Sequence, residues 1–174
     1  MMEDEKEIEL LPFGHPMLKQ EPDRFDFDAE DAKELSEKLF VGMRKFGGVG
    51  LSANQIGINK KVFVVGGSGL DEKSIFNPEL LKVSNTGVTM REGCLSYPGL
   101  WLNLTRPDSC TIKYHDENGV ETIEEFGGVY ARVVLHEFDH MVGQNFTMRA
   151  SGLKIDRALK QLDKKVKKFK RRTA

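Results

Sequence analysis

Val133-Val-Leu-His-Glu-Phe-Asp-His-Met-Val142 is the stretch whose reading decides the fold. It contains His136, Glu137 and His140 in an H-E-x-x-H pattern. On an α-helix, positions i and i+4 lie one above the other on the same face, so both imidazoles can reach a single metal ion. Glu137 follows the first histidine. Its carboxylate therefore falls beside the open position of such a site, where it can take a proton from water. Ala131, Val134, Leu135, Phe138, Met141 and Val142 make the segment apolar nearly all round, which predicts a buried central helix. Gly143 follows as its C-terminal stop. A core helix whose histidines merely bond to neighbours is the plainer reading, but two histidines and a glutamate at metal spacing are costly to bury without a role.

Two imidazoles need a third ligand. Proteases with the longer pattern H-E-x-x-H-x-x-G-x-x-H supply a histidine where this chain has Phe146, although Gly143 is in place. Thermolysin-like enzymes supply a downstream glutamate, and no glutamate follows Glu137. Asp156 and Asp163 lie in a cationic segment that reads as exposed. The third ligand is therefore expected upstream, where Cys94 stands in Arg91-Glu-Gly-Cys-Leu-Ser-Tyr-Pro-Gly99. One thiolate and two imidazoles leave a fourth position for water.

With these residues in view, the chain resembles the peptide deformylase family. Glu92-Gly93-Cys94-Leu95-Ser96 and His136-Glu137-Phe138-Asp139-His140 are similar to two of its signature motifs. Gly48-Val49-Gly50-Leu51-Ser52-Ala53-Asn54-Gln55 is similar to the third, with Ser52 where alanine is usual. The motifs occur in the family's order, and the resemblance covers about residues 10–150.

The resemblance implies an enzyme that removes the N-formyl group from the initiating methionine of new polypeptides and releases formate. It implies Cys94, His136 and His140 as metal ligands and Glu137 as the proton carrier. The Leu95 backbone N–H and the Gln55 amide would hold the developing oxyanion. Val49, Gly50, Glu92, Gly93 and Val133 would surround the substrate. The donors accept Zn2+, Ni2+ or Co2+ as well, and affinity alone does not choose among them; the resemblance implies Fe2+ in the cell. Trp101 stands where many bacterial members have arginine, and Leu135 where many have glutamine, so both bear on the substrate rim.

Other readings stay open. An H-E-x-x-H peptidase with a different third ligand would cleave unblocked peptides. A binding module with a structural metal would close its site with four protein ligands.

The 174 residues suffice for one domain with a sizeable core. We expect a single catalytic domain over 1–174, with the core at 10–152 and a basic helix at 153–172. Its two cysteines, Cys94 and Cys110, suit a reducing cytosol rather than a disulfide framework. The acidic start Met1-Met-Glu-Asp-Glu-Lys-Glu7 is neither a secretory signal nor a transit peptide, and no apolar run approaches a membrane span. The expectation is a cytoplasmic monomer, with a mature organellar form left open.

The net charge of −1 hides an asymmetry: residues 154–174 hold ten Lys or Arg and two Asp, a local +8. Ile155, Leu159, Leu162, Val166 and Phe169 form an apolar stripe on the same segment. A basic amphipathic helix on an acidic body predicts a polyanionic partner, and with the resemblance, ribosomal RNA.

Elsewhere, Asp28–Phe46 reads as an amphipathic helix capped by Asp28, and Lys61–Val65 as a buried strand. Gly66–Ser74 reads as a loop, Asn77-Pro78 as a turn-shaping dipeptide, and 79–83 and 88–90 as further strands around an Asn85-Thr86-Gly87 turn. Cys110–His115 alternates as a strand with His115 exposed, and Asp116–Gly119 turns into a return strand over 120–124. Strands in the middle and helices at the flanks give an α+β fold: a central H-E-x-x-H helix surrounded by antiparallel strands, with an N-terminal amphipathic helix and a basic C-terminal one.

Overall fold

The structure, a computed structural model, describes residues 7–173; the acidic stretch Met1–Lys6 and Ala174 lie outside them. Seven strands and three α-helices follow one another among the described residues. Helix α1 is Ala32–Lys45, α2 is Gly128–Met141 and α3 is Gly152–Thr173. The strands are β1 Gly50–Ser52, β2 Val62–Gly67, β3 Leu70–Val83, β4 Gly87–Cys94, β5 Tyr97–Pro107, β6 Ser109–His115 and β7 Glu121–Gly127. Five of them form an antiparallel sheet in the order β1-β2-β3-β6-β7, and β4 with β5 forms a separate antiparallel hairpin.

The apolar run Val62–Val65 explains how the layers stack. Successive strand residues face opposite sides, so a strand buried on both faces must be apolar throughout. Val62 and Val64 join Leu35, Leu39 and Met43 of α1 in one cluster. Phe63 and Val65 join Ala131, Val134 and Met141 of α2 in another. The sheet thus lies between the two helices. Leu39 and Val64 are fully buried, and each such side chain contributes about 1.5–3 kcal/mol. A third cluster places Leu100, Leu102 and Leu104 of β5 against Phe146 and against Ala158, Leu159 and Leu162 of α3.

Helix α2 is buried over Ala131–Glu137 and again over Asp139–Met141, as its sequence predicts. Gly143 takes φ 68° just after its end. A side chain there would also meet the Gln20 backbone at 2.9 Å, so the position excludes one twice over.

The structure corrects several expectations. The cap of α1 is Asp31, not Asp28: its carboxylate accepts from the backbone N–H groups of Lys33 and Glu34, both at 3.0 Å. Gly66–Ser74 is a hairpin rather than a loop. Gly67-Ser68-Gly69, all at positive φ, turns the chain so that Val62–Gly67 pairs with Leu70–Phe76. Asn77-Pro78 is an irregularity inside β3 rather than a turn. Asn77 adopts φ 49°, and its side chain accepts from Phe25 N at 2.8 Å and donates to Phe25 O at 3.0 Å, replacing lost strand bonds. The segments flanking Asn85-Thr86-Gly87 do not pair with each other: β3 pairs with β2 and β6, and β4 pairs with β5. The return strand runs Glu121–Gly127, further than expected. His115 is partly buried against Phe27, with ring centroids 5.6 Å apart.

Candidate functional site

Two elements bring three candidate ligands together. The ligand atoms of Cys94, at the end of β4, and of His136 and His140, one turn apart on α2, all lie within 4.8 Å of one another. Cys94 Sγ and His140 Nε2 are 3.6 Å apart. Ligand bonds of 2.3 Å to sulfur and 2.0–2.1 Å to nitrogen in a tetrahedron put the two atoms about 3.6 Å apart. The donor set therefore fits one borderline-soft divalent ion.

The electrostatics point the same way. Burial pushes the Cys94 thiol up, but hydrogen bonding and charge from His136 and His140 bring it down to about 5. A thiolate is thus favoured where a metal ligand must be one. Cys110 is the opposite case. Burial and the nearby Glu125 push it up to about 11, and it sits on β6 in the core cluster shared with α2. Cys94→Ser is therefore expected to lose most bound metal at a given free concentration, and Cys110→Ser to keep it. Metal content after dialysis reads this directly, and loss in the Cys110 variant would redraw the ligand set.

Beneath the ligands lies a buried ionic cluster. His136 Nδ1 is 3.0 Å from Glu92 Oε1, which turns Nε2 toward the ligand group. Arg106 donates to both oxygens of Glu92, from Nε at 2.7 Å and Nη2 at 2.9 Å. Arg132 Nη1 donates to Glu92 Oε2 at 2.6 Å and to Leu104 O at 2.9 Å. Arg106 Nη1 also reaches Asp139 Oδ2 at 2.9 Å, and Arg149 Nε reaches the same oxygen at 2.7 Å. Burial alone would raise Glu92, but His136 and Arg106 hold its carboxyl far below the usual range. The resemblance implies a substrate contact for Glu92. Its side-chain oxygens are taken by these donors, so its side chain belongs under the ligands instead.

Glu137 is 4% exposed, and its Oε2 has no hydrogen-bond partner among the described residues. Burial raises its carboxyl to about 7, against the lowering influence of His136 and His140. Gly50 makes room for it: a Cβ there would lie 2.6 Å from Glu137 Oε1. Gln55 is oriented at both ends. Its Oε1 accepts from Ser52 N at 3.0 Å and Ser52 Oγ at 2.9 Å, and its Nε2 donates to Ser96 Oγ at 2.9 Å and lies 3.6 Å from Cys94 Sγ. Asn54 Nδ2 donates to His140 O at 3.2 Å, tying the 3₁₀ turn Ala53–Ile56 to the end of α2.

Of the eleven residues singled out in the sequence, all but His140 line one cavity of about 810 Å³. Cys94, His136 and Glu137 belong to it together with the apolar Val49, Val133, Met90 and Leu100. Asp156 and Asp163 do not join the ligand group, and Asp163 pairs with Lys167 at 2.7 Å. Arg106, Arg132, Asp139, Ser52 and Ser96 carry no role assigned from the sequence.

The family model for polypeptide deformylase matches residues 8–156. The chain is 36% identical over 170 residues to a peptide deformylase of Maricaulis maris, covering 95% of this chain and 97% of that one. It is 33% identical over 168 residues to the chloroplastic peptide deformylase 1B of Oryza sativa subsp. japonica, covering 92% of this chain but 62% of that one. In structure it is similar to a peptide deformylase from Synechococcus elongatus solved in complex with actinonin. That comparison gives a TM-score of 0.83 at 30% identity, over 90% of this chain and 86% of that one.

Proposed function

This chain belongs to the polypeptide deformylase family, enzymes that remove the N-formyl group from the N-terminal methionine of new polypeptides, and on that footing we propose how its residues divide the reaction. Cys94, His136 and His140 hold one divalent cation, Fe2+ in the cell, with Zn2+, Ni2+ or Co2+ able to occupy the same donors. When bound, the cation supplies Lewis acidity toward the oxygens that approach it.

Glu137 is the proton carrier. It takes a proton from water as the oxygen adds to the formyl carbon, and it delivers that proton to the amine nitrogen as the C–N bond breaks. Formate and a free α-amino group result. Charge on the former carbonyl oxygen is met by the Leu95 backbone N–H and the Gln55 amide, which Ser52 holds in place. Val49 and Val133 wall the methionine side chain, with Gly50 offering backbone hydrogen bonds to the peptide and Gly93 lining the same cavity.

The observation that carries this reading is the buried, unpartnered Glu137 Oε2 beside three converging ligand atoms on an apolar cavity. Formate release from formyl-Met-Ala-Ser under anaerobic conditions, with metal analysis of the same sample, tests it. Cleavage of an unblocked peptide without formate would instead make the protein a peptidase.

Residues 10–152 form the catalytic core of a cytoplasmic monomer in this proposal, and 153–172 an appended docking helix. Among the described residues no helix is long and apolar enough to cross a membrane. In α3, Leu159 and Leu162 pack on β5, while Val166 and Phe169 are exposed at 43% and 68%. Residues 163–173 are all exposed and carry most of the helix's lysines and arginines. This outer half docks on ribosomal RNA. Phosphate contacts release counterions, so affinity should fall with salt at a log–log slope of about −0.7 to −0.9 per phosphate neutralised. Truncation after Asp163 keeps the packed half. It should leave formyl-tripeptide turnover unchanged and weaken ribosome co-sedimentation at low salt; equal co-sedimentation of both forms ends the docking proposal.

A further inference from the structure

Above the metal ligands, the same cavity opens past Arg91 and Trp101, to which the deformylase reading gives no step in the reaction. Trp101 on β5 is 50% exposed. It is nevertheless fixed. Its ring lies over Gly93, where a Cβ would come within 3.0 Å of the ring carbons. Arg91 on β4 pairs across the hairpin with Asn103, which places it diagonally from Trp101. The Arg91 guanidinium carbon is 4.9 Å from the Trp101 ring centroid, within cation–π range. Stacking holds the long side chain in place while leaving its N–H edges available. Among the described residues no carboxylate lies within ion-pair distance of Arg91, whereas Arg106 and Arg132 at the same site are buried and paired with Glu92. Arg91 is therefore a cation held at the cavity with no counter-charge among the described residues.

We propose that the stacked Arg91–Trp101 pair reads the side chain of one of the two residues following methionine and favours an acidic one. The inference rests on the deformylase reading of the cavity floor. A formyl-methionine placed at the ligands leaves much of an 810 Å³ cavity for the rest of the peptide. Residues two and three of the peptide then leave past Arg91, Trp101 and the half-exposed Val129. An aspartate or glutamate there meets a guanidinium edge in bidentate geometry, and a lysine meets like charge.

The test is kcat/KM of the metal-loaded enzyme on formyl-Met-Ala-Ser and on versions with Asp or Lys at the second or the third position. Exposed ion pairs support a preference for Asp over Lys of about three- to fivefold at low salt, at one of the two positions. The ratio should fall toward one as salt rises. Arg91→Glu should invert the order, which a merely structural role for Arg91 would not do, and Trp101→Ala should narrow it. Equal turnover of the Asp and Lys peptides by the wild-type enzyme, or an unchanged order in Arg91→Glu, overturns this inference alone. Absence of formate from formyl-Met-Ala-Ser itself overturns the deformylase reading and this inference with it.

Discussion

Glu137→Gln should keep its metal and lose deformylation by about 10²–10⁴-fold, the usual contribution of a positioned proton carrier. Glutamine has the shape of glutamate, so the contact with Gly50 is preserved and the helix keeps its packing. The three ligand side chains are untouched. What disappears is the ability to accept a proton at a carboxyl that burial raises to about 7 and whose Oε2 no other group among the described residues engages. The amide can still hydrogen-bond a water but cannot relay its proton to the departing nitrogen. Formate release and metal content measured on one preparation separate the two roles. If metal and activity vanish together, Glu137 is a ligand and the proposed division of labour is wrong.

The site was legible to the extent that its chemistry is local. H-E-x-x-H places its two imidazoles by helix geometry alone, and the apolar flanks announce burial. Cys94 emerged because nothing downstream could serve. The ionic cluster was not legible by the same means, since Arg106 reaches Glu92 across a hairpin and Asp139 from another element. A signal did exist. Arg132, His136 and Asp139 stand at i, i+4 and i+7, a polar stripe on an otherwise apolar helix, and such a stripe needs buried partners. The cap of α1 was similarly available: Asp31 has Glu34 three residues on, as in a capping box, whereas Asp28 is followed by Asp31. The β2–β3 hairpin was hidden because Leu70–Lys73 is largely polar and only partly buried, so it lacks the apolar alternation that marks a strand.

The largest structural effect is expected at Glu92. Its two oxygens face four N–H donors: Oε1 faces Arg106 Nη2 and His136 Nδ1, and Oε2 faces Arg106 Nε and Arg132 Nη1. In Glu92→Gln one oxygen becomes an NH2 group. Whichever way the amide is turned, that group confronts two donors at a position only 5% exposed. The buried arginines also lose a neutralising charge, with Arg106 left to Asp139 and Arg132 to the carbonyls of Leu104 and Val88. Breaking a buried ion pair from one side costs about 3–5 kcal/mol, so the urea midpoint of the metal-loaded protein should fall accordingly. His136 loses the carboxylate that fixes its ring, and loss of such a partner lowers metal affinity by about 10–100-fold. Glu92→Asp, which keeps the charge on a shorter stem, should recover part of both losses. Were Glu92 instead a substrate contact, Glu92→Gln would raise KM for the formyl peptide and leave the urea midpoint and metal affinity where they were.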